Sequence, residues 1–429
     1  MKERIAIIDG VRTPMDKAGG RLRHISADDL AVYAIKDLIL RTALDVSEVD
    51  ELILGNVAQP ANAANIARVA ALKAGIPQAV PAYTVCRNCA SGMESITTAG
   101  NKILAGESRV IIAGGTESMS NIPFLFGRRM TDFFRRLQKA KKPFEKLKIL
   151  LGFRPRYLRP EIAVIQGLTD PISGLIMGRT AEVLAREFHI TREEQDKYAL
   201  MSHKRAVRAI REGVFRDEIT PVPLPPDFSR IMDTDGGPRE NQSMEALAKL
   251  RPYFEPVTGT VTVGNSCPIT DGAAAVLVMK ESEAKKRDLK PLGFLKSYAY
   301  ASLEPERMGL GPVYAFSRLA DKSGITLKDI ELIELNEAFA AQVLADQRAF
   351  ASAEFASRYL GKPKALGELN LDIVNIHGGA IALGHPVGMT GTRLVIHVLR
   401  AMRAAKKQTG LATLCVGGGQ GAALLLEAE

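Results

Sequence analysis

Tryptophan is absent from the 429 residues, and cysteine occurs only four times. Thiols this sparse exclude a disulfide scaffold and point to a reducing compartment, where a cysteine is kept for packing or for chemistry. Aromatic residues reach only 6%, whereas hydrophobic residues make up 46% and glycine is abundant, a balance suited to tightly packed α/β layers. Long apolar runs are missing too: none approaches the roughly 20 residues that a membrane-spanning helix needs. The opening MKERIAIIDG turns apolar after four residues. That leaves no place for a basic region, an apolar stretch and a cleavage site. The expectation is a soluble, unexported, cytoplasmic protein, long enough for two or three domains.

Net positive charge is lacking over most of the chain, where basic and acidic residues balance, although the whole carries +9. Residues 128–159 carry twelve Lys or Arg against Asp132 and Glu145, a net +10, so the remainder sums to −1. General nucleic-acid binding therefore loses its support. The same segment interleaves apolar residues, among them Phe133, Phe144, Leu147 and Leu151. A solvated basic face is the plain reading, and a surface for anionic lipid or for a partner subunit is the functional one.

Short apolar runs alternate with helical patterns over the first 120 residues: RIAIIDG, ELILGN and RVIIAGG read as strands, and 27–43, 63–74 and 90–105 as helices. The alternation resumes near 283 and resembles the first half. VSEVDELILGNV parallels LKDIELIELNEA, with Val49 matched to Ile330, and SRVIIAGGTES parallels LATLCVGGGQG. A duplicated α/β domain is the simplest source of two such matches in one order. The expected organisation is a first half of 1–120 plus 259–282, an inserted loop domain at 121–258, and a second half at 283–429.

Cys89, in TVCRNCASGMES, falls just before the helix that Met93, Ile96 and Ile103 define and Gly106 stops. Unpaired N–H groups and the positive end of the helix dipole favour a thiolate there, so a lowered pKa is expected. An isolated cysteine is more often a packing residue. A second strand-to-helix junction shifts that balance: His385 lies between Gly384 and Pro386, and junctions facing each other across two halves bring a base to a thiol. Cys415 ends a strand before Gly417, Gly418 and Gly419, either a tight turn beside a buried thiol or glycines whose N–H groups are free to face an oxyanion. Asn336 in ELNEAFAAQ either orients a water or carbonyl oxygen or caps the next helix. A CxxC redox pair of Cys86 and Cys89 lacks a thioredoxin-sized βαβ context, and no His stands at metal-ligand spacing.

Cys89 in CASGM, NEAFA at 336–340, GGAIALGHP at 378–386 and CVGGGQG at 415–421 together resemble the thiolase family. RTP at 12–14, AGGTESMS at 113–120 and DGAAAV at 271–276 agree in order, and the resemblance spans essentially the whole chain. It is strongest to the long-chain 3-ketoacyl-CoA thiolases of fatty-acid β-oxidation, including trifunctional-enzyme β-subunits. It implies the thiolase fold: two similar α/β halves with mixed five-stranded sheets in an α-β-α-β-α layering. It also implies acetyl-CoA C-acyltransferase activity, with acetoacetyl-CoA formation as the alternative and a non-catalytic acyl-CoA-binding scaffold as the less favoured one.

The resemblance assigns Cys89 as the acyl-accepting nucleophile, His385 as base, Cys415 as acid and base, Asn336 as holder of an oxyanion water, and Gly417 as a backbone oxyanion donor. Met177 and Met308 match pocket-lining methionines. Cys267 replaces a CoA-bonding serine, and His377 stands where asparagine is common. No metal or cofactor is implied beyond CoA as co-substrate. The implied partners are acyl-CoA, a second copy in a homodimer or dimer of dimers, and an enoyl-CoA hydratase/3-hydroxyacyl-CoA dehydrogenase subunit, with peripheral membrane contact through 128–159.

Overall fold

The structure, a computed structural model, describes residues 3–429. Its first half runs β1 (Ile5–Arg12), α1 (Ala27–Thr42), β2 (Glu51–Gly55), α2 (Ile66–Ala74), β3 (Ala82–Val85), α3 (Ser91–Ala105) and β4 (Val110–Ser118). Local signals set these bounds. Ser26 accepts from the Asp29 N–H to cap α1, Asn65 caps α2, and Gly106, at φ 78°, ends α3 in the left-handed region that glycine enters freely. The middle of the chain adds α4 (Arg128–Lys139), α5 (Pro143–Leu151), α6 (Met177–Glu187) and α7 (Arg192–Arg211) before β5 (Thr270–Lys280). The second half comprises β6 (Gly293–Ser302), α8 (Gly311–Ser323), β7 (Leu332–Leu335), α9 (Ala340–Ala351), α10 (Val387–Ala405), β8 (Thr409–Val416) and β9 (Gln420–Glu427).

The strands of the first half lie in the order β3-β2-β4-β5-β1, parallel from β3 to β4 and antiparallel from β4 to β1. The second half repeats this as β7-β8-β9-β6, with Val374 bridged in parallel to Ile333 at the place β3 holds in the first half. Antiparallel pairing of Ile5–Ile7 with Gly293–Leu295 joins the two into one continuous sheet. The registers refine the internal match. Leu52 pairs with Ile112, and Ile333 pairs with Leu411. Thr116 is therefore the counterpart of Cys415, and the resemblance of the two glycine runs is offset by four residues.

Alternation along the strands builds the layers. Ile53, Ile111 and Ala113 point inward with Ala412, Leu414 and Leu424 onto α3 and α10, which supply Ile96, Ile103, Leu394, Val395 and Leu399. Leu52, Leu54 and Ile112 point outward to α1 and α2, and Leu411, Leu425 and Ile333 face the second half's outer helices. The result is the α-β-α-β-α stack. Full burial of each such aliphatic side chain contributes about 1.5–3 kcal/mol.

The two central helices cross at residues without side chains. A Cβ on Gly92 would lie 2.6 Å from Thr392 Oγ1, and one on Gly391 would lie 2.5 Å from the Met93 nitrogen. Thr392 Oγ1 also donates to the Gly92 carbonyl at 3.1 Å. The N-termini of α3 and α10 are thereby fixed against each other, and Cys89 and His385 each stand two residues before one of them.

The basic segment stays apart from these layers. Of α4 and α5 only Met130 is buried. Phe133 and Phe153 form a local aromatic pair at 5.3 Å, while Phe144 and Leu151 are 78% and 79% exposed.

Candidate active site

Cys89 sits on the turn that starts α3. Asn88 adopts φ 43°, a left-handed conformation that asparagine tolerates better than most residues, and its Nδ2 donates to the Gly417 carbonyl at 2.8 Å. That bond ties the Cys89 turn to the glycine turn after β8. The thiol is half-buried. Burial pushes its pKa up, with a further rise from the Glu117 charge, while the N–H groups of Gly417 and of Cys89 itself pull the other way. The lowered pKa expected from the helix N-terminus is thus overturned. Two oriented amides do not offset removal from water, so the thiol needs a base.

His385 is nearly fully buried, and its Nδ1 lies 2.6 Å from Thr390 Oγ1. The Thr390 hydroxyl donates to the Pro386 carbonyl at 2.9 Å. Its one hydrogen is therefore spent, and it must accept from the ring. Nδ1 carries the proton, and Nε2 is left as a bare lone pair with no hydrogen-bond partner within the protein. Burial, with Arg393 adding to it, lowers the imidazole pKa to about 3, so the ring is neutral at physiological pH.

Asn336 follows β7 and is fully buried. Its main-chain N–H donates to the Thr413 carbonyl at 3.0 Å, but neither side-chain Oδ1 nor Nδ2 has a protein partner. Buried amides are almost always satisfied, so this one suits a bound water or a substrate oxygen, and the helix-capping alternative has no hydrogen bond behind it. The next residue, Glu337, accepts from Tyr198 Oη, Ser202 Oγ, Asn375 Nδ2 and the Ile381 N–H at 2.6–3.2 Å. It anchors the Asn336 turn to the loop that leads to His385.

Residues 265–269 lace these pieces together. Ser266 bridges to Phe339, Ile269 bridges to His385, and the Cys267 N–H donates to the Ala338 carbonyl at 3.0 Å. Burial raises the Cys267 thiol to about 12, and the Cys89 charge adds to the rise. Cys415, buried at the end of β8, is raised well above the ordinary thiol range by burial, with Cys89, Asp346 and Cys267 adding to it. Cys89, Cys267 and Cys415 thus act on one another electrostatically, and the exposed Cys86 acts on Cys89 as well.

Met177 covers the glycine turn, its Sδ 3.3 Å from where a Gly417 Cβ would be. Met308 shares a buried cluster with Cys415. His377 takes a different direction. Its Nδ1 meets His397 Nε2 at 3.0 Å, and His397 in turn meets Glu218, which pairs with Arg12 at 2.7 Å. His377 bonds into this buried charged row and not to His385.

Sequence reasoning missed Asn88, Thr390 and Glu117. Glu117 had a legible signal, a lone carboxylate at the end of an apolar, glycine-containing strand. Its oxygens accept from Asn56 Nδ2 and the N–H groups of Val57, Ala58 and Gly388, all at 3.0–3.1 Å. Burial pushes the Glu117 carboxyl up to about 7, while four donors and no acceptor favour its ionised form. Among the described residues, no group of three or more His, Cys, Asp or Glu is arranged to hold a metal, and no helix is long and apolar enough to cross a membrane.

The family model described as Thiolase, N-terminal domain matches residues 5–282, and the one described as Thiolase, C-terminal domain matches residues 289–428. A 3-ketoacyl-CoA thiolase of Photorhabdus laumondii subsp. laumondii is 41% identical over 428 residues, 100% of this chain and 97% of its own. One of Pseudoalteromonas translucida is 40% identical over 426 residues, covering 99% and 97%. Among solved structures, Bacillus anthracis acetyl-CoA acetyltransferase superposes with a TM-score of 0.87 at 36% identity, over 100% of this chain and 99% of that one. Human mitochondrial 3-ketoacyl-CoA thiolase in complex with CoA gives 0.86 at 34%, over 100% and 98%.

Proposed function

The chain belongs to the thiolase family, and from that premise we propose that it is a 3-ketoacyl-CoA thiolase, cleaving 3-ketoacyl-CoA with CoA to acetyl-CoA and a shortened acyl-CoA. The observation that carries the reading is the bare, buried Nε2 of His385 at the helix crossing that also presents Cys89.

His385 Nε2 takes the Cys89 proton, and the thiolate adds to the C3 carbonyl. The tetrahedral oxyanion is met by the N–H groups of Cys89 and Gly417. As it collapses, the C2–C3 bond breaks, the acyl group stays on Cys89 as a thioester, and the electron pair passes to the acetyl-CoA carbon. A water held by Asn336, together with His385, stabilises that enolate, and Cys415 delivers the proton that completes acetyl-CoA. The Cys415 thiolate then deprotonates incoming CoA, whose sulfur attacks the thioester. Cys89 departs and regains its proton from His385. Each oxyanion donor of this kind contributes about 10²- to 10³-fold in rate.

CoA serves as co-substrate, and the CoA complex of the human relative supports that assignment. The acetoacetyl-CoA-forming alternative is separated by rate: thiolysis of a long-chain 3-ketoacyl-CoA is expected to match or exceed that of acetoacetyl-CoA in a direct kcat/KM comparison. Activity confined to acetoacetyl-CoA would move the chain to the acetyltransferase reading.

We further propose that α4 and α5 dock on an anionic bilayer. Exposed Phe144, Leu147 and Leu151 share this segment with its excess of cations, the composition of an interfacial helix pair. Cations near such a surface contribute about 1 kcal/mol each. Replacing Arg128, Arg129, Arg135 and Arg136 by Gln should therefore lower partition onto phosphatidylglycerol vesicles about a thousandfold in low-salt co-sedimentation. Unchanged sedimentation would sink the idea, and capture by a hydratase/dehydrogenase subunit without vesicle binding would transfer the surface to that partner.

A further inference from the structure

The donors on Glu117 come from both halves of the molecule: Asn56, Val57 and Ala58 follow β2, and Gly388 opens α10. Oε2 accepts from Gly388 N at 3.0 Å and Val57 N at 3.1 Å, and Oε1 accepts from Ala58 N and Asn56 Nδ2, both at 3.0 Å. Gly388 lies in the first turn of α10, three residues after His385. Thr390, whose hydroxyl fixes the imidazole tautomer, closes that same turn.

The contact leaves almost no freedom. A Cβ on Gly388 would sit 2.7 Å from the Thr116 carbonyl oxygen and 2.9 Å from Asn56 Cα, and one on Gly115 would sit 2.0 Å from the Gly388 carbonyl oxygen. The end of β4 and the start of α10 therefore touch backbone to backbone, with Glu117 as the polar bond between them. A helix N-terminus leaves amides unpaired and favours negative charge, and a carboxylate buried there satisfies one. Its charge also works against thiolate formation at Cys89. Electrostatic activation of the nucleophile is thus not what the carboxylate supplies; what it supplies is placement.

We propose that Glu117 is a positioning residue for the reaction: by holding the Gly388 amide it fixes the first turn of α10, and through Thr390 it holds the His385 ring in line with Cys89. The inference rests on the reading of His385 as the base. Misplacing a reacting group by about 1 Å costs on the order of 10²-fold, so the residue is expected to govern kcat and leave KM nearly unchanged.

The test is a double-mutant cycle on the full-length protein, with kcat read only on variants that a cooperative thermal transition shows to be folded. Glu117→Gln is expected to lower kcat about 10- to 100-fold with little change in KM. In a His385→Ala background the same substitution should cost almost nothing more, because its effect passes through the imidazole. Asn56→Ala, which removes a donor but leaves the Gly388 bond, should change kcat only slightly. If Glu117→Gln does not fold, Glu117→Asp, which keeps the charge and shortens the reach, carries the same cycle and the same expectation. An equal loss in both backgrounds, an unchanged kcat, or a loss in Asn56→Ala as large as in Glu117→Gln would overturn the proposal and leave Glu117 as part of the fold alone. Full activity in His385→Ala by itself would instead bring down the assignment of the base, a distinct result.

Discussion

Cys89→Ala is expected to abolish thiolysis, with kcat/KM falling about 10⁴-fold or more, or at least ~5 kcal/mol of transition-state stabilisation. The physical reason is that a methyl group cannot accept the acyl chain. Cys415 and Cys267 lie nearby, but burial holds both well above the range in which a thiol ionises. The measurement is intact mass after mixing with a 3-ketoacyl-CoA in the absence of CoA. The unsubstituted protein should gain one acyl mass, Cys86→Ser should gain the same, and Cys89→Ala none. An adduct that persists on Cys89→Ala would transfer the nucleophile's role to a neighbour.

His385→Ala ranks second, with a predicted loss in kcat of about 10³- to 10⁴-fold, at the upper end for one general base because an oxyanion donor goes with it. Thr390→Val separates ring from support. Valine keeps the shape of threonine but cannot accept from Nδ1, so a buried N–H is left unsatisfied and the bare Nε2 is no longer enforced. The cost of such a loss, about 1–3 kcal/mol, corresponds to roughly 10- to 100-fold in kcat. The sign of the pH dependence follows from the lowered pKa. With the imidazole pushed down to about 3, it is already deprotonated across pH 6–9, and raising the pH adds no further base. Thr390→Val, which keeps the neutral ring, should not recover at alkaline pH, whereas His385→Ala should regain rate as rising pH ionises the Cys89 thiol directly. An acid limb near pH 6.5 that disappears in His385→Ala would contradict the buried, neutral histidine.

The strands and the two central helices were legible because their apolar periodicity is strong, and their stop signals were legible too. Gly106 ends α3 where the sequence places it. Duplication was legible at Val49 and Ile330, each buried just before β2 or β7. The glycine runs misled by four residues because they serve different ends. Gly114 and Gly115 admit close backbone neighbours, Gly388 among them, whereas Gly418 and Gly419 turn the chain at positive φ. The thiol's raised pKa was not legible, since burial is set by residues far away in sequence, and local helix position supplied only the smaller, opposing effect. Thr390 and Glu117 escaped notice for a related reason. A threonine one turn into a helix acquires meaning only from the partners that tertiary packing gives it, and the lone carboxylate at the end of β4, though visible as an oddity, shows its partners only once Gly388 is folded against it.

The crossing of α3 and α10 carries one more consequence, for how such a molecule diversifies. Its contact is made at Gly92 and Gly391 with the Thr392 hydroxyl bonded across it, so few side chains are placed to retune the spacing of Cys89 and His385. Met177 lies instead over the Gly417 turn. On the proposed reading, acyl-length preference is set from that turn without moving the crossing, so lineages, or engineers, can change the one and keep the other.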